Sequence, residues 1–217
     1  MRVGVVGATG AVGREMLRIL EERSFPVDEL IPLASERSAG TRVRFQGEDH
    51  TVRVLSLDAL RGADVALSSC GSAAAKSWIP QAAEAGTVCI DNSSAFRMEP
   101  HVALTIPEVN PESLEGRPRI IAVPNCTIIT ALMAVAPLHR AAGLQSLILS
   151  SYQSVSGAGR RGVTELAEQI EKLHGMEEDL AHLDPSALPV GEVFGKTIAY
   201  NVVAKVDAFD PETGFTF

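Results

Sequence analysis

The run Ala122-Val-Pro-Asn-Cys126-Thr-Ile-Ile-Thr130 sets a thiol where an apolar strand gives way to an apolar helix. A cysteine at a helix start lies among backbone amides whose partial positive charge favours the thiolate, the nucleophilic form. Cys126 is therefore a candidate for covalent catalysis. The competing reading is a buried structural thiol, since unpaired cysteine is among the most buried residue types.

Three further runs carry chemistry. In Gly7-Ala-Thr9-Gly10-Ala11-Val12-Gly13 the glycines follow a strand and open a helix. They permit a tight turn, close approach of backbone to a pyrophosphate, and close helix–strand packing, while the helix start offers amides to the phosphates. The spacing is G-x-x-G-x-x-G, a departure from G-x-G-x-x-G, and glycines also serve as plain turn formers. After the next strand comes Ser35-Glu36-Arg37-Ser38-Ala39-Gly40, where an NAD site carries an acid for the ribose 2'-hydroxyl. Arg37 and Ser38 suit a 2'-phosphate instead, so NADP is expected over NAD. The plain alternative is a solvated loop of mixed charge. Third, Asp91-Asn92-Ser-Ser-Ala-Phe-Arg97 leaves the end of a strand, where open parallel sheets bind ligands. Asn92 and Arg97 thus point to a substrate or phosphate site, against the reading of Arg97 as an ordinary solvated cation.

These runs need elements to hold them. Arg2–Val6 and Glu29–Ala34 read as buried strands, as do 64–68, 87–91, 102–106 and 119–123, with helices expected over 12–20, 72–85 and 128–140. Trp78 in the second of these helices is expected to pack. Alternating strands and helices mean an α/β fold, a doubly wound Rossmann-type parallel sheet. Gln145 to Val155 reads as a long strand opening a second α+β domain. A helix over 161–174 follows, with Val163, Leu166 and Ile170 on one side, and then a strand over 195–203. The expected domains are 1–126, cofactor-binding, and 127–217, an incomplete catalytic and dimerisation domain.

Composition narrows the classes. The chain has 217 residues, 46% of them hydrophobic, and a formal net charge of −8, which argues against a nucleic-acid binder. The three cysteines, Cys70, Cys89 and Cys126, are too scattered for a disulfide framework or a zinc site, so no metal is expected and reducing cytoplasm fits. No apolar stretch approaches the roughly 18 residues needed to cross a bilayer, and no signal peptide is evident.

Taken together, Gly7 to Gly13, Arg37-Ser-Ala-Gly40, Asp91 to Arg97, Pro124-Asn125-Cys126 and Ser151-Tyr-Gln153-Ser-Val-Ser156-Gly157-Ala-Gly159 resemble the bacterial type of the aspartate-semialdehyde dehydrogenase family, in order and spacing. The resemblance implies an NADP-dependent enzyme of lysine, threonine and methionine synthesis. In it the Cys126 thiolate attacks the acyl phosphate of 4-phospho-L-aspartate, and NADPH reduces the resulting thioester to aspartate 4-semialdehyde. It further implies that Asn125 polarises the carbonyl, Arg97 binds phosphate, Gln153 orients the substrate, and Ser156 and Gly157 meet the nicotinamide end of NADP. Homodimers or homotetramers are implied as partners, alongside the small-molecule substrate. The related N-acetyl-gamma-glutamyl-phosphate reductases, with glycine before their cysteine, match less well.

The family is usually about half as long again. The resemblance implies that its remaining part brings a substrate-gripping arginine and an acid–base histidine, and that Thr213 to Phe217 precede a helix. The expectation is thus a C-terminally truncated dehydrogenase, alternatively a catalytically silent dinucleotide-binding homologue. None of His50, His101, His139, His174 and His182 falls in the family's histidine motif.

Overall fold

The computed structural model describes residues 1–180, 182–204 and 212. They fall into two compact units, Met1–Ser151 and Tyr152–Phe217. The division comes at 151/152, whereas the expected one, at 126/127, falls one residue into the helix that starts at Cys126. That helix is part of the first unit.

The first unit begins with β1 (Arg2–Val6), α1 (Ala11–Glu22), β2 (Glu29–Ala34), the hairpin strands β3 (Arg42–Phe45) and β4 (Glu48–Thr51), β5 (Arg53–Val54) and the short α2 (Leu57–Leu60). It continues with β6 (Val65–Ser68), α3 (Ser72–Glu84), β7 (Val88–Asp91), β8 (Ala103–Leu104), β9 (Ile120–Ala122) and α4 (Cys126–Ala142). Seven strands form one sheet in the order β5-β2-β1-β6-β7-β9-β8, with every pair parallel. The chain winds outward from β1 to β2 and β5, then returns to β6 on the other side of β1. That reversal is the doubly wound arrangement, and it opens a crevice at the carboxyl ends of β1 and β6. The antiparallel pair β3–β4 was not foreseen from the sequence.

Apolar side chains cover the sheet on both faces, which is why its strands read as continuous apolar runs. On one face Val6, Ile31, Leu33, Ala66 and Cys89 pack with Leu60 of α2 and with Ala75, Trp78, Ile79 and Ala82 of α3. On the other, Val3, Val5, Leu30 and Ala34 pack with Leu17 of α1 and with Val43 and Phe45 of the hairpin. Neighbours Val5 and Val6 go to opposite faces, as the period of two requires. Trp78 packs as expected.

In the second unit a turn of 3-10 helix over Val155–Ala158 leads into α5 (Gly159–Leu173), and another covers Pro185–Ala187. The strands expected over 145–155 and 195–203 are not formed. Residues 145–154 are exposed and irregular, and 195–203 form turns and loops. A strand persists only where a neighbour takes its N–H and C=O groups, and no such ladder reaches these segments among the described residues. Of the three apolar residues expected on one side of α5, Val163 and Ile170 are exposed and Leu166 is half-buried, whereas Glu165 and Gln169 are buried. The Glu165 carboxylate accepts the Val193 and Phe194 amides at 2.6 and 3.2 Å. Gln169 Oε1 accepts those of Ile198 and Ala199 at 2.7 and 3.1 Å. Loop amides that pair with no strand are satisfied by these two side chains, one helical turn apart. Lys205 to Asp210 and Thr213 to Phe217 lie outside the described residues.

Cys89 is fully buried in β7, and burial, helped by repulsion from Asp91, pushes its thiol up from 9.0 to about 12. Because the folded value is raised, the unfolded chain releases this proton first. The contribution to stability is complete below the unfolded value and is lost as pH climbs from about 9 towards 12. Denaturant unfolding at stepped alkaline pH is expected to show this decline, and Cys89→Ala is expected to make it shallower.

Candidate active site

A parallel sheet sends every strand-to-helix connection out along one edge, and the candidate residues of the first unit gather there. After β1, Gly7 has φ +88°, and a Cβ on it would lie 2.7 Å from Ser69 Oγ, so glycine is required twice over. The Gly7 and Ala8 amides donate to the Leu33 carbonyl at 2.8 and 3.1 Å, tying the turn to the end of β2. Gly13 is buried where a Cβ would come 2.8 Å from Ala8 Cα, which lets α1 pack onto the turn.

Gly10 caps α1 without a side-chain bond, and no acid occupies the first turn. Ala11 and Val12 are exposed there and Thr9 is half-buried. The leading N–H groups of a helix have no intrahelical acceptor. With neither a capping side chain nor a carboxylate beside them, they suit the pyrophosphate of a dinucleotide. Beside this turn, Ser35 leads into a 3-10 turn over Glu36–Ser38. Ser35 and Arg37 are exposed and Ser38 is half-buried.

The next two connections meet. Asn92 follows β7 and its amide donates to the Ser68 carbonyl at 3.0 Å. Arg97, half-buried, donates from Nε to the Val123 carbonyl at 2.9 Å and from Nη2 to the Asn92 carbonyl at 3.1 Å. Val123 is three residues before Cys126, a reach of at most about 11 Å. The sequence marked Arg97 and Cys126 separately, and the fold sets them on adjoining connections.

Asn125 is the N-cap of α4, its Oδ1 accepting the Thr127 amide at 2.9 Å. With the oxygen so used, Nδ2 is what the side chain has left to donate. Cys126 is the first residue of α4 and is exposed, with Sγ 4.0 Å from Thr127 Oγ1. Exposure excludes the buried structural thiol for Cys126, a description that suits Cys89. Cys70, half-buried, accepts the Trp78 Nε1–H at 3.5 Å.

Gln153, Ser156 and Gly157 belong to the second unit, where the fold brings them together. A Cβ at Gly157 would collide with the Gln153 amide, and the Gly157 N–H donates to the Ser154 carbonyl at 3.0 Å. Among the described residues, no cluster of His, Cys, Asp and Glu fit to hold a metal occurs, and no helix is long and apolar enough to cross a membrane. Asp91 and Ser93 were not singled out from the sequence as functional. The available signal was an Asp two residues before a Ser at a strand end, the pattern of an Asx turn.

The family model described as "Semialdehyde dehydrogenase, NAD binding domain" matches residues 2–117. The chain belongs to the semialdehyde dehydrogenase family. The family's dimerisation-domain model matches residues 135–215. An aspartate-semialdehyde dehydrogenase of Aquifex aeolicus is 43% identical over 99% of this chain and 61% of its own length. The crystal structure of aspartate semialdehyde dehydrogenase II complexed with ASA from Vibrio cholerae superposes with a TM-score of 0.86 at 41% identity, over 99% of this chain and 61% of that one. An aspartate semialdehyde dehydrogenase with NADP from Candida albicans gives 0.57 at 26% identity, over 66% of this chain and 48% of that one. The chain thus spans 61% of the length of the Aquifex relative. The fold and the family are those that the five sequence motifs implied.

Two substitutions test how the family's loops are built here. Gly13→Ala is expected to destabilise the first unit by about 1–3 kcal/mol, because the packed turn cannot yield to a methyl group. Asn125→Ala is expected to lose about 1 kcal/mol with the helix cap. Both are read as shifts of the urea midpoint at unchanged slope.

Proposed function

We propose that the chain is the cofactor-binding and nucleophile-bearing part of an NADP-dependent aspartate-semialdehyde dehydrogenase. The reaction is the reductive dephosphorylation of 4-phospho-L-aspartate to L-aspartate 4-semialdehyde, in the synthesis of lysine, threonine and methionine. One observation carries this reading: Cys126 is exposed at the start of α4, and Arg97 is bonded to the connection that leads into it.

In this reading the Cys126 thiolate adds to the acyl carbon. The carbon–oxygen bond to phosphate breaks, phosphate leaves with the electron pair, and a thioester remains on Sγ. A thiolate both attacks well and leaves well, so one difficult displacement becomes two easier ones. Asn125 Nδ2 and the leading amides of α4 stabilise the oxyanion. Arg97 receives the phosphate, its guanidinium pairing with phosphate oxygens. Gln153 orients the substrate.

Glycine turn and α1 amides form the pyrophosphate cradle, through Gly7, Thr9, Gly10, Ala11, Val12 and Gly13. Ser35, Arg37 and Ser38 hold the 2'-phosphate of NADP, and Ser156 and Gly157 lie against the nicotinamide end. When bound, NADPH supplies the hydride that reduces the thioester and restores the thiolate. The solved relative with NADP supports that cofactor. The dimerisation-domain match supports homodimers or homotetramers. The setting is the cytoplasm, where thiols stay reduced.

Among the described residues no histidine is bonded to Cys126, Asn125 or Arg97. His50 lies edge-on to Phe45, His139 Nδ1 accepts the Leu144 amide, and His174 pairs with Glu177. Turnover by these residues alone is expected to lack the about 10²–10⁴-fold contribution of a general acid–base.

Iodoacetamide is expected to label Cys126 faster than Cys70 or Cys89 in the folded protein, read by peptide mass spectrometry. Equal rates at all three thiols would count against an activated nucleophile. NADPH is expected to bind more tightly than NADH by fluorescence titration, and Arg37→Ala to reduce that preference by about tenfold, the worth of one charge-assisted pair to phosphate. Phosphate-dependent reduction of NADP by aspartate 4-semialdehyde, slow in this chain and abolished by Cys126→Ala, tests the reaction. Oxidation of N-acetyl-glutamate semialdehyde in its place would redirect the substrate assignment.

A further inference from the structure

Asp91 is a fully buried carboxylate that the proposed reaction does not use. It ends β7, and its backbone carbonyl accepts the Val123 amide at 2.8 Å. Its side chain is spent wholly on Ser93. Oδ1 accepts the Ser93 amide at 3.2 Å and Oδ2 accepts the Ser93 hydroxyl at 2.6 Å. Ser93 Oγ in turn accepts the Ala95 amide at 3.1 Å. The turn so made runs directly into buried Ala95 and Phe96 and then into Arg97.

Arg97 closes the loop, since its two bonds go to Asn92, inside the turn, and to Val123, on the connection leading to Cys126. The same two connections are therefore joined by the Asp91 main chain at one end and by the Arg97 guanidinium at the other. Between these ties, the relay Ala95 N–H to Ser93 Oγ–H to the Asp91 carboxylate sets the length and direction of the turn. A buried carboxylate that accepts only neutral donors is costly to keep. A purely packing role would be served as well by an apolar residue.

We propose that Asp91 and Ser93 are positioning residues, whose hydrogen-bond relay holds the Arg97 guanidinium against the connection that carries Cys126. Nucleophile and anion site are then one mechanical unit, aligned before substrate arrives, which is where orientation contributes to rate. The inference rests on the reading of Arg97 as the anion site beside Cys126.

The donor pattern makes the relay sensitive to single atoms. Both carboxylate oxygens accept from Ser93, so in Asp91→Asn one of the two Ser93 donors must face an NH2 group, whichever way the amide lies. Ser93→Ala removes the relay and keeps the carboxylate. Ser93→Thr restores the hydroxyl.

The test compares Cys126 alkylation by iodoacetate, an anion, with alkylation by neutral iodoacetamide, each followed by peptide mass spectrometry. A cation fixed near the thiolate speeds the anionic reagent relative to the neutral one, whereas general loosening speeds or slows both. Arg97→Gln is expected to lower the iodoacetate-to-iodoacetamide rate ratio by about fivefold, the size of one nearby charge pair of about 1 kcal/mol in water. Asp91→Asn and Ser93→Ala, with Arg97 intact, are expected to lower it at least twofold, and Ser93→Thr to return it to the parent value. Should Asp91→Asn fail to fold by circular dichroism, the serine pair alone gives the result. A ratio that drops in Arg97→Gln but keeps its parent value in Ser93→Ala overturns the positioning role and leaves the anion site standing. A ratio unchanged in Arg97→Gln overturns both.

Discussion

Parallel pairing of β1 with β2 and β6, and of β7 with β6 and β9, is the constraint on which the first unit depends. Strands that all run one way must all turn at the same edge. Each turn there leaves strand-end carbonyls and helix-start amides to be satisfied. The structure satisfies many of them with one another: Gly7 and Ala8 bond to Leu33, Asn92 to Ser68, and Val123 to Asp91. Residues at the ends of five strands are thereby tied along one edge although they are spread from position 7 to position 123. No local feature of the sequence could do this, because the hydrogen bonds involved join segments tens of residues apart.

Along this edge the connections differ in how they are stiffened. The first relies on glycine, with a left-handed Gly7 and a Gly13 that leaves no room for a Cβ. The resulting cradle presents backbone rather than side chain, which suits a ligand rich in phosphate oxygens. The connections after β7 and β9 rely on side chains, through Asp91, Ser93 and Arg97 in one and the Asn125 cap in the other. A rigid turn around a nucleophile limits the geometries it samples, so less ordering remains to be done on binding. The three thiols show the same division by environment. Cys89 is buried between the sheet and α3 and held protonated, while Cys126 stands exposed at a helix start.

The second unit solves a different problem. Its loop at 193–199 has amides with no ladder to join, and α5 supplies Glu165 and Gln169 to receive them. Gly191 is needed where the carboxylate of Glu165 lies against the backbone, since a Cβ there would collide with it. A helix that turns polar side chains to its own loop leaves Val163 and Ile170 exposed. The buried side of α5 thus carries Glu165 and Gln169 alongside Leu173, which is why its apolar period misdirects a reading of which side is buried.

What the sequence determined by itself was local or periodic. Apolar runs of strand length, the glycines that follow β1, and the Asn-Cys step into α4 are each written in a few adjacent residues. Six of the seven sheet strands, all but β5, and the larger helices of the first unit lie where those signals place them, within a few residues. Likewise the order of five motifs sufficed for the family, because order and spacing are properties of the chain. The strands expected at 145–155 and 195–203 were not legible in the same way, since a strand is settled by a partner and not by its own composition. The tertiary structure alone decided three things: that Arg97 is bonded to the connection of Cys126, that Asp91 is buried and committed to Ser93, and that Glu165 and Gln169 face inward. The first and third depend on hydrogen bonds that close only after the chain has folded back on itself, and the burial of Asp91 depends on the sheet around it, although its bonds to Ser93 form a local turn.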